Sequence, residues 1–203
     1  MQRIGIFGGT FNPPHLGHLN IVSKFVKDFG IDKMLIIPTY APPHKSSPEL
    51  VSPEDRIEMC KRTFKEPIFH ISKVEINRQG KSYTHKTLQE LKELNKNAEF
   101  FFLVGDDMFL SLHTWKLPNK ILEYCTVVAA ARSEEISVKN LIDYSKEKFP
   151  KEFSEGKIKI LPIKPLKLSS TEIRDMRRAG LSIKDFVTKE TNEFIEARGL
   201  YFD

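Results

Sequence analysis

The sequence predicts an α/β fold, a doubly wound and mostly parallel sheet covered by helices on both faces, and three observations carry that reading. Apolar runs of strand length alternate with stretches of helical period along the whole chain, the pattern of stacked βαβ units. Helix start and stop residues stand where the periodic stretches begin and end. The 203 residues, 40% of them apolar, suffice for one core, and no repeat, low-complexity tract or dividing linker interrupts them. Residues 1–203 are therefore expected to form a single domain.

Taken in order, residues 3–7 read as the first strand and residues 15–29 as a helix. In that helix Leu16, Leu19, Val22, Phe25, Val26 and Phe29 recur at intervals of three and four, giving one apolar stripe, and Gly30 follows as a stop. Residues 33–38 (KMLIIP) form a second strand. Ser52, Pro53, Glu54 and Asp55 spell a helix start: an N-cap serine, proline in the first turn, and carboxylates at the positive end of the dipole. That helix is expected to reach Thr63. Further strands are expected at 68–76, 99–104, 125–130 and 158–163, and further helices at 84–94, 118–124, 137–149, 170–179 and 188–198. Residues 40–51 (YAPPHKSSPELV), with Pro42, Pro43 and Pro48, read as a surface loop whose length suits a ligand-facing role.

The formal net charge of +5 suits a protein that handles anions, yet acidic and basic residues are interleaved almost everywhere. The densest basic clusters, at 157–167 and 174–178, are short. A dedicated nucleic-acid binder would carry a dense basic stripe with aromatics between the charges, so no nucleic-acid partner is expected. Cys60 and Cys125 stand far apart in apolar segments, which excludes a disulfide framework and a cysteine-based metal site and leaves two buried thiols. No charged leader precedes the first strand, and no apolar run approaches the ~20 residues of a membrane span. A cytoplasmic chain without a membrane partner is the expectation.

The segment richest in chemistry is residues 5–18, GIFGGTFNPPHLGH, where the first strand hands over to the first helix. In open α/β sheets nucleotides bind at the carboxyl ends of the strands. Gly8 and Gly9 are expected to permit tight turns and a close backbone approach to a ligand. The helix beginning near Pro14 or His15 turns its unpaired N–H groups toward the same space, which favours an anion. His15 and His18, three positions apart, are expected on one helical face, where two imidazoles can donate to phosphate oxygens. The segment matches neither G-x-G-x-x-G nor G-x-x-x-x-G-K-[ST], which disfavours a dehydrogenase and a P-loop ATPase. No third ligand stands at a convincing spacing for zinc.

GGTFNPPHLGH resembles the H-x-G-H signature of the nucleotidyltransferase superfamily, and residues 168–174 (LSSTEIR) resemble its second hallmark, I-S-S-T-x-I-R. Ser169 or Ser170 can cap a helix from whose first turn Arg174 reaches phosphates. Further matches are APPHK at 41–45, the SPEDR helix start at 52–56, and SYT at 82–84 with Thr87 and Leu88. GDD at 105–107, Thr114 with Trp115, and the terminal Gly199 to Tyr201 complete them. Over nearly the whole chain these resemble the bacterial nicotinate-nucleotide adenylyltransferases.

The resemblance implies a Rossmann-like nucleotidyltransferase fold and an enzyme of NAD biosynthesis that joins ATP and nicotinate mononucleotide into nicotinate adenine dinucleotide and pyrophosphate. It implies direct in-line attack by the mononucleotide phosphate on the α-phosphorus of ATP, with Mg²⁺ carried on the triphosphate and no metal site built by the protein alone. The first motif would bring Gly8, Gly9, Thr10, Phe11, His15 and His18 to ATP, and the second Ser169, Ser170, Thr171 and Arg174. In the reaction His18 would serve the α-phosphate, His15 the phosphates nearby, and Arg174 the β- and γ-phosphates. Asn12, His44, Lys45, Tyr83, Thr84, Asp107 and Trp115 would form the nicotinate mononucleotide pocket, with Trp115 stacked on the pyridine ring and Tyr83 or Thr84 near its carboxylate. Lys45 is also a candidate phosphate ligand. A flat ring needs an aromatic platform and a carboxylate needs donors.

Blander readings stay open at this level. A lone tryptophan is often a core residue, and Asp106 and Asp107 can simply cap a helix. The chain departs from the family pattern at Asn12, where Asp is usual, at Asp106, where an uncharged residue is usual, and at Leu168 in place of Ile. The rival activities are a related adenylyl- or cytidylyltransferase with another phosphate acceptor and a nucleotide-binding module that has lost catalysis. A homo-oligomer is compatible with everything above.

Overall fold

The structure is a computed structural model that describes residues 1–41, 50–131, 138–164 and 168–202. Six strands form one sheet: β1 (Gln2–Gly9), β2 (Lys33–Pro38), β3 (Phe69–Ile71), β4 (Ala98–Gly105), β5 (Thr126–Ala131) and β6 (Ile158–Pro162). Their spatial order is β3-β2-β1-β4-β5-β6, and every neighbouring pair is parallel. This is the doubly wound α/β architecture that the alternation of apolar runs predicts.

Successive side chains of a strand face opposite sides, and the apolar runs fill both. Ile4, Ile6, Phe100, Phe102, Val104, Val127 and Ala129 enter one core with helices α4 (Thr84–Leu94), α6 (Pro118–Tyr124) and α7 (Val138–Lys148). Phe7, Met34, Ile36, Phe101, Leu103 and Val128 enter the other with α1 (Leu16–Phe29) and α2 (Pro53–Thr63). A third apolar cluster joins Met59 of α2 to Ile173 of α9 (Ser170–Arg178) and Ile195 of α10 (Lys189–Ala197). Three short helices complete the described helices: α3 (Val74–Arg78), α5 (Asp106–Phe109) and α8 (Pro150–Ser154), with a single 3₁₀ turn at Leu112–Thr114.

Most expected elements are present within two residues of their predicted ends. The exception is the strand expected at 68–76. It pairs only through Ile71 and then turns into α3. The register Ile36↔Ile71 would set Lys73 beside Pro38, which has no N–H to give a further rung. The alternation of residues 68–76 thus reads through a strand end that only the neighbouring strand defines.

Sequence order reverses direction across the sheet between β1 and β4. At such a switch point the connections leave the two strands on opposite faces and open a crevice beyond their carboxyl ends.

Candidate active site

β1 continues to Gly9, two residues past its predicted end, and neither Gly8 nor Gly9 has a left-handed backbone. The two glycines therefore supply space and not turns. A Cβ on Gly9 would lie 3.2 Å from the Phe11 ring, whereas one on Gly8 would meet nothing within 4 Å. The left-handed residue is Phe11, at φ 50°, a conformation that costs a non-glycine residue on the order of 1 kcal/mol or more. Its ring is 1% exposed and packs on Phe7, Phe64 and His18 at centroid distances of 5.6, 6.0 and 5.3 Å. That packing holds the strained turn and braces His18.

The two histidines stand side by side as their spacing suggested, but not as two helical residues. His15 is the extended N-cap of α1, at φ −147°, and His18 is the third helical residue. They cap one another. The His18 N–H donates to His15 Nδ1 at 3.4 Å and the His15 N–H donates to His18 Nδ1 at 3.3 Å. This is the geometry of a Ser/Thr…Glu capping box carried out by two imidazoles. With each Nδ1 accepting, the ring proton of the neutral form belongs on Nε2. The rings lie 3.7 Å apart. Gly17 makes this possible, because a Cβ there would stand 2.9 Å from the His15 ring.

The second motif docks on the first. Ser169 caps α9, accepting from the Glu172 N–H at 3.2 Å, while Glu172 accepts in return from the Ser169 N–H at 2.7 Å. Ser170, freed from capping, donates its hydroxyl to the Pro13 carbonyl at 2.8 Å. Arg174 lies in the second turn of α9, not the first. Its Nη1 donates to the Asn12 carbonyl at 2.9 Å and its Nη2 to the Thr171 hydroxyl at 3.4 Å. The loop between β1 and α1 is thus gripped by residues 157 and 162 positions away.

Beside this junction a cleft of about 280 Å³ opens at the carboxyl ends of β1 and β4. Gly8, Gly9, Thr10, His18, Tyr83, Thr84, Asp107 and Trp115 all line it. The Trp115 indole N–H donates to Ser111 Oγ at 3.2 Å and its ring meets Phe102 edge-on at 6.3 Å. Lys116 Nζ sits 4.8 Å from the centre of the Tyr83 ring. Asp107 is exposed, whereas Asp106 is 1% exposed and accepts the Asp107 N–H at 2.9 Å through Oδ1; Gly105 is the N-cap of α5. Sequence reading missed Glu75, Ser82, Thr87 and Lys116 as cleft residues. Ser82 and Thr87 were in view only as parts of a motif, and Glu75 was hidden inside a predicted strand.

Of the residues predicted for the site, Phe11, His15, Ser169, Ser170, Thr171 and Arg174 do not line the cleft, and neither does Asn12. It is 3% exposed, and its Oδ1 accepts from the Tyr201 hydroxyl at 2.9 Å and from the Val51 N–H at 3.3 Å. Arg56, 1% exposed, donates to the carbonyls of Thr10, Thr39 and Val51 at 2.9, 2.6 and 3.3 Å. Burial lowers the pKa of its guanidinium from the ordinary arginine value. His44 and Lys45 lie outside the described residues.

The chain is similar to known proteins over its whole length. A family model described as cytidylyltransferase-like matches residues 6–176. The chain is 37% identical, over 100% of its own length and 98% of the relative's, to a protein of Shouchella clausii described as a probable nicotinate-nucleotide adenylyltransferase. It is 36% identical, over 99% and 100% of the two lengths, to one of Clostridium acetobutylicum with the same description. The solved nicotinic acid mononucleotide adenylyltransferase of Plasmodium falciparum complexed with NaAD shares the fold, with TM-score 0.78, 20% identity and coverage of 99% and 98% of the two chains. On these grounds the chain belongs to the cytidylyltransferase-like family and, within it, to the nicotinate-nucleotide adenylyltransferases.

Proposed function

We propose that this single-domain protein transfers the adenylyl group of ATP to the phosphate of nicotinate mononucleotide, in the cytoplasm, to which its two buried free thiols are suited. One observation carries the reading: the two phosphate-binding motifs dock on one loop beside a cleft at the switch point of the sheet. Membership of the adenylyltransferase family supports the same assignment.

The reaction joins two polyanions, so the protein's task is alignment and charge neutralisation. His18 lines the cleft, and its Nε2–H would donate to a non-bridging α-phosphate oxygen as charge develops there. His15, stacked against it, serves the neighbouring phosphate. Arg174 answers the outer phosphates, and Ser169 to Thr171 open α9 beside it. The Gly8–Gly9 edge admits the nucleotide because no Cβ projects from it. Trp115 is the platform for the pyridine ring, with Tyr83 and Thr84 at its carboxylate and Asp107 nearby.

Among the described residues no three carboxylate, imidazole or thiol side chains converge as a metal cage. The cleft residues instead suit an ion that arrives on the triphosphate, with Asp107 the exposed carboxylate on the wall. Mg²⁺ so carried would neutralise charge on the phosphates.

The test is pyrophosphate release from ATP with a panel of acceptors. Nicotinate mononucleotide should be preferred over its amide, phosphopantetheine and cytidylyltransferase substrates; preference for another acceptor overturns the assignment. His18→Ala, folded as the wild type, should lose about 10²- to 10³-fold in turnover while still binding ATP. Near wild-type turnover would remove His18 from the reaction.

A further inference from the structure

The cleft wall carries a buried carboxylate to which the reaction as described gives no part. Glu75, on α3, is 7% exposed. Its Oε1 accepts from the Thr87 hydroxyl at 2.7 Å, and the Ser82 hydroxyl is its other partner. Each hydroxyl has further partners. Thr87 Oγ1 also accepts from Arg78 Nη2 at 2.9 Å, and Ser82 Oγ accepts from the Tyr40 N–H at 3.1 Å. Arg78 in turn donates to Glu90 at 2.9 Å. One carboxylate therefore ties together α3, the chain just after β2, the turn at residues 82–83 and the first turn of α4.

What lies between its two hydroxyl partners is part of the cleft wall. Ser82 and Thr87 bracket Tyr83 and Thr84, both of which line it. Tyr83 is the N-cap of α4 and supplies no side-chain cap; its carbonyl accepts from the Thr87 N–H at 3.2 Å, so the turn is tied to the residue whose hydroxyl Glu75 grips. Burial raises the Glu75 carboxyl above its ordinary range, while the two hydroxyls and Arg78 pull it partway back. A carboxylate presents acceptors on both oxygens and so satisfies two hydroxyl donors. A glutamine presents one acceptor and one donor, and its amide would face a hydroxyl already committed to accepting.

We propose that Glu75 is a positioning residue for the acceptor mononucleotide: by gripping the Ser82 and Thr87 hydroxyls it fixes the turn at residues 82–84 and thereby sets affinity for the pyridine substrate without touching ATP. The inference rests on the functional reading above and names a residue that governs one half of the site.

The experiment uses the full chain as wild type, Glu75→Gln, Glu75→Ala and Thr87→Val. KM and kcat are measured separately for ATP and for nicotinate mononucleotide. Binding of the mononucleotide is followed independently by the fluorescence of Trp115, the chain's one tryptophan and a cleft residue. Glu75→Ala should raise KM for nicotinate mononucleotide about tenfold or more, the loss of one or two buried hydrogen bonds. KM for ATP should stay within about twofold. Glu75→Gln should fall between wild type and alanine. Thr87→Val should reproduce the same split and keeps the test decisive if the alanine variant does not fold. Equal shifts in both KM values, or none, overturn the proposal. Failure of the functional reading looks different: the wild type itself would neither change fluorescence with nicotinate mononucleotide nor turn it over.

Discussion

At Gly17 an added Cβ would lie 2.9 Å from Cε1 and Nδ1 of His15, a ring only 3% exposed with little room to retreat. Gly17→Ala should therefore push the His15 ring off His18 and break the reciprocal cap. The helix itself gains up to about 1 kcal/mol from replacing glycine, which offsets the lost cap of about the same size. Little change in melting temperature is expected, but turnover should fall at least about tenfold through misplaced donors. Steady-state kinetics beside a thermal melt decides it; wild-type turnover would show that the stacked pair is not needed. Gly8 makes the opposite case. Nothing lies within 4 Å of its added Cβ, so Gly8→Ala should fold within about 0.5 kcal/mol of wild type. Because that Cβ would project into the cleft, KM for ATP should rise several-fold. An unchanged KM would move the nucleotide away from the end of β1.

Between elements, the decisive joint is Arg56, which lies on α2 and bonds the carbonyls of Thr10 and Thr39, just beyond the ends of β1 and β2, and that of Val51 before its own helix. Arg56→Met keeps length and apolar bulk but strips a donor from three carbonyls. A net loss of on the order of 3 kcal/mol in urea unfolding is expected, since the buried charge removed recovers part of what the unpaired carbonyls cost. A loss below about 1 kcal/mol would mean that water replaces the guanidinium. Elements were legible where their signal was local. The stripe from Leu16 to Phe29, the Ser52–Pro53 start and the helix at Thr84–Leu94 stand as the pattern predicts. The misreadings were relational. The strand expected at 68–76 stops because of Pro38 on its neighbour, and the short helices at Val74–Arg78 and Pro150–Ser154 lack enough residues to show a period. The His15 cap escaped notice because imidazole is not the usual capping side chain.

For the molecule as a whole, the sequence motifs told which residues to bring together but not how. That the Ser170 hydroxyl and Arg174 would seize the backbone of Pro13 and Asn12, or that Tyr201 would close on Asn12 from 189 positions away, depends on side-chain reach that no spacing encodes. The continuity of these ties supports one cooperative unit, and the two cysteines can test it. Cys60 lies in the core shared with α1 and α2, and Cys125 in the core on the opposite face of the sheet. Burial pushes the Cys125 thiol up to about 12 and the Cys60 thiol higher still. The folded protein at pH 8 should hold almost no thiolate at either cysteine, against roughly a quarter for an exposed thiol. Neither should react with a thiol reagent in the native state. As urea is raised, labelling of Cys60, labelling of Cys125 and the fluorescence of Trp115 should follow one transition with a common midpoint. Should one cysteine label well before the other, the two faces of the sheet unfold separately, and the chain is not the single folding unit proposed here.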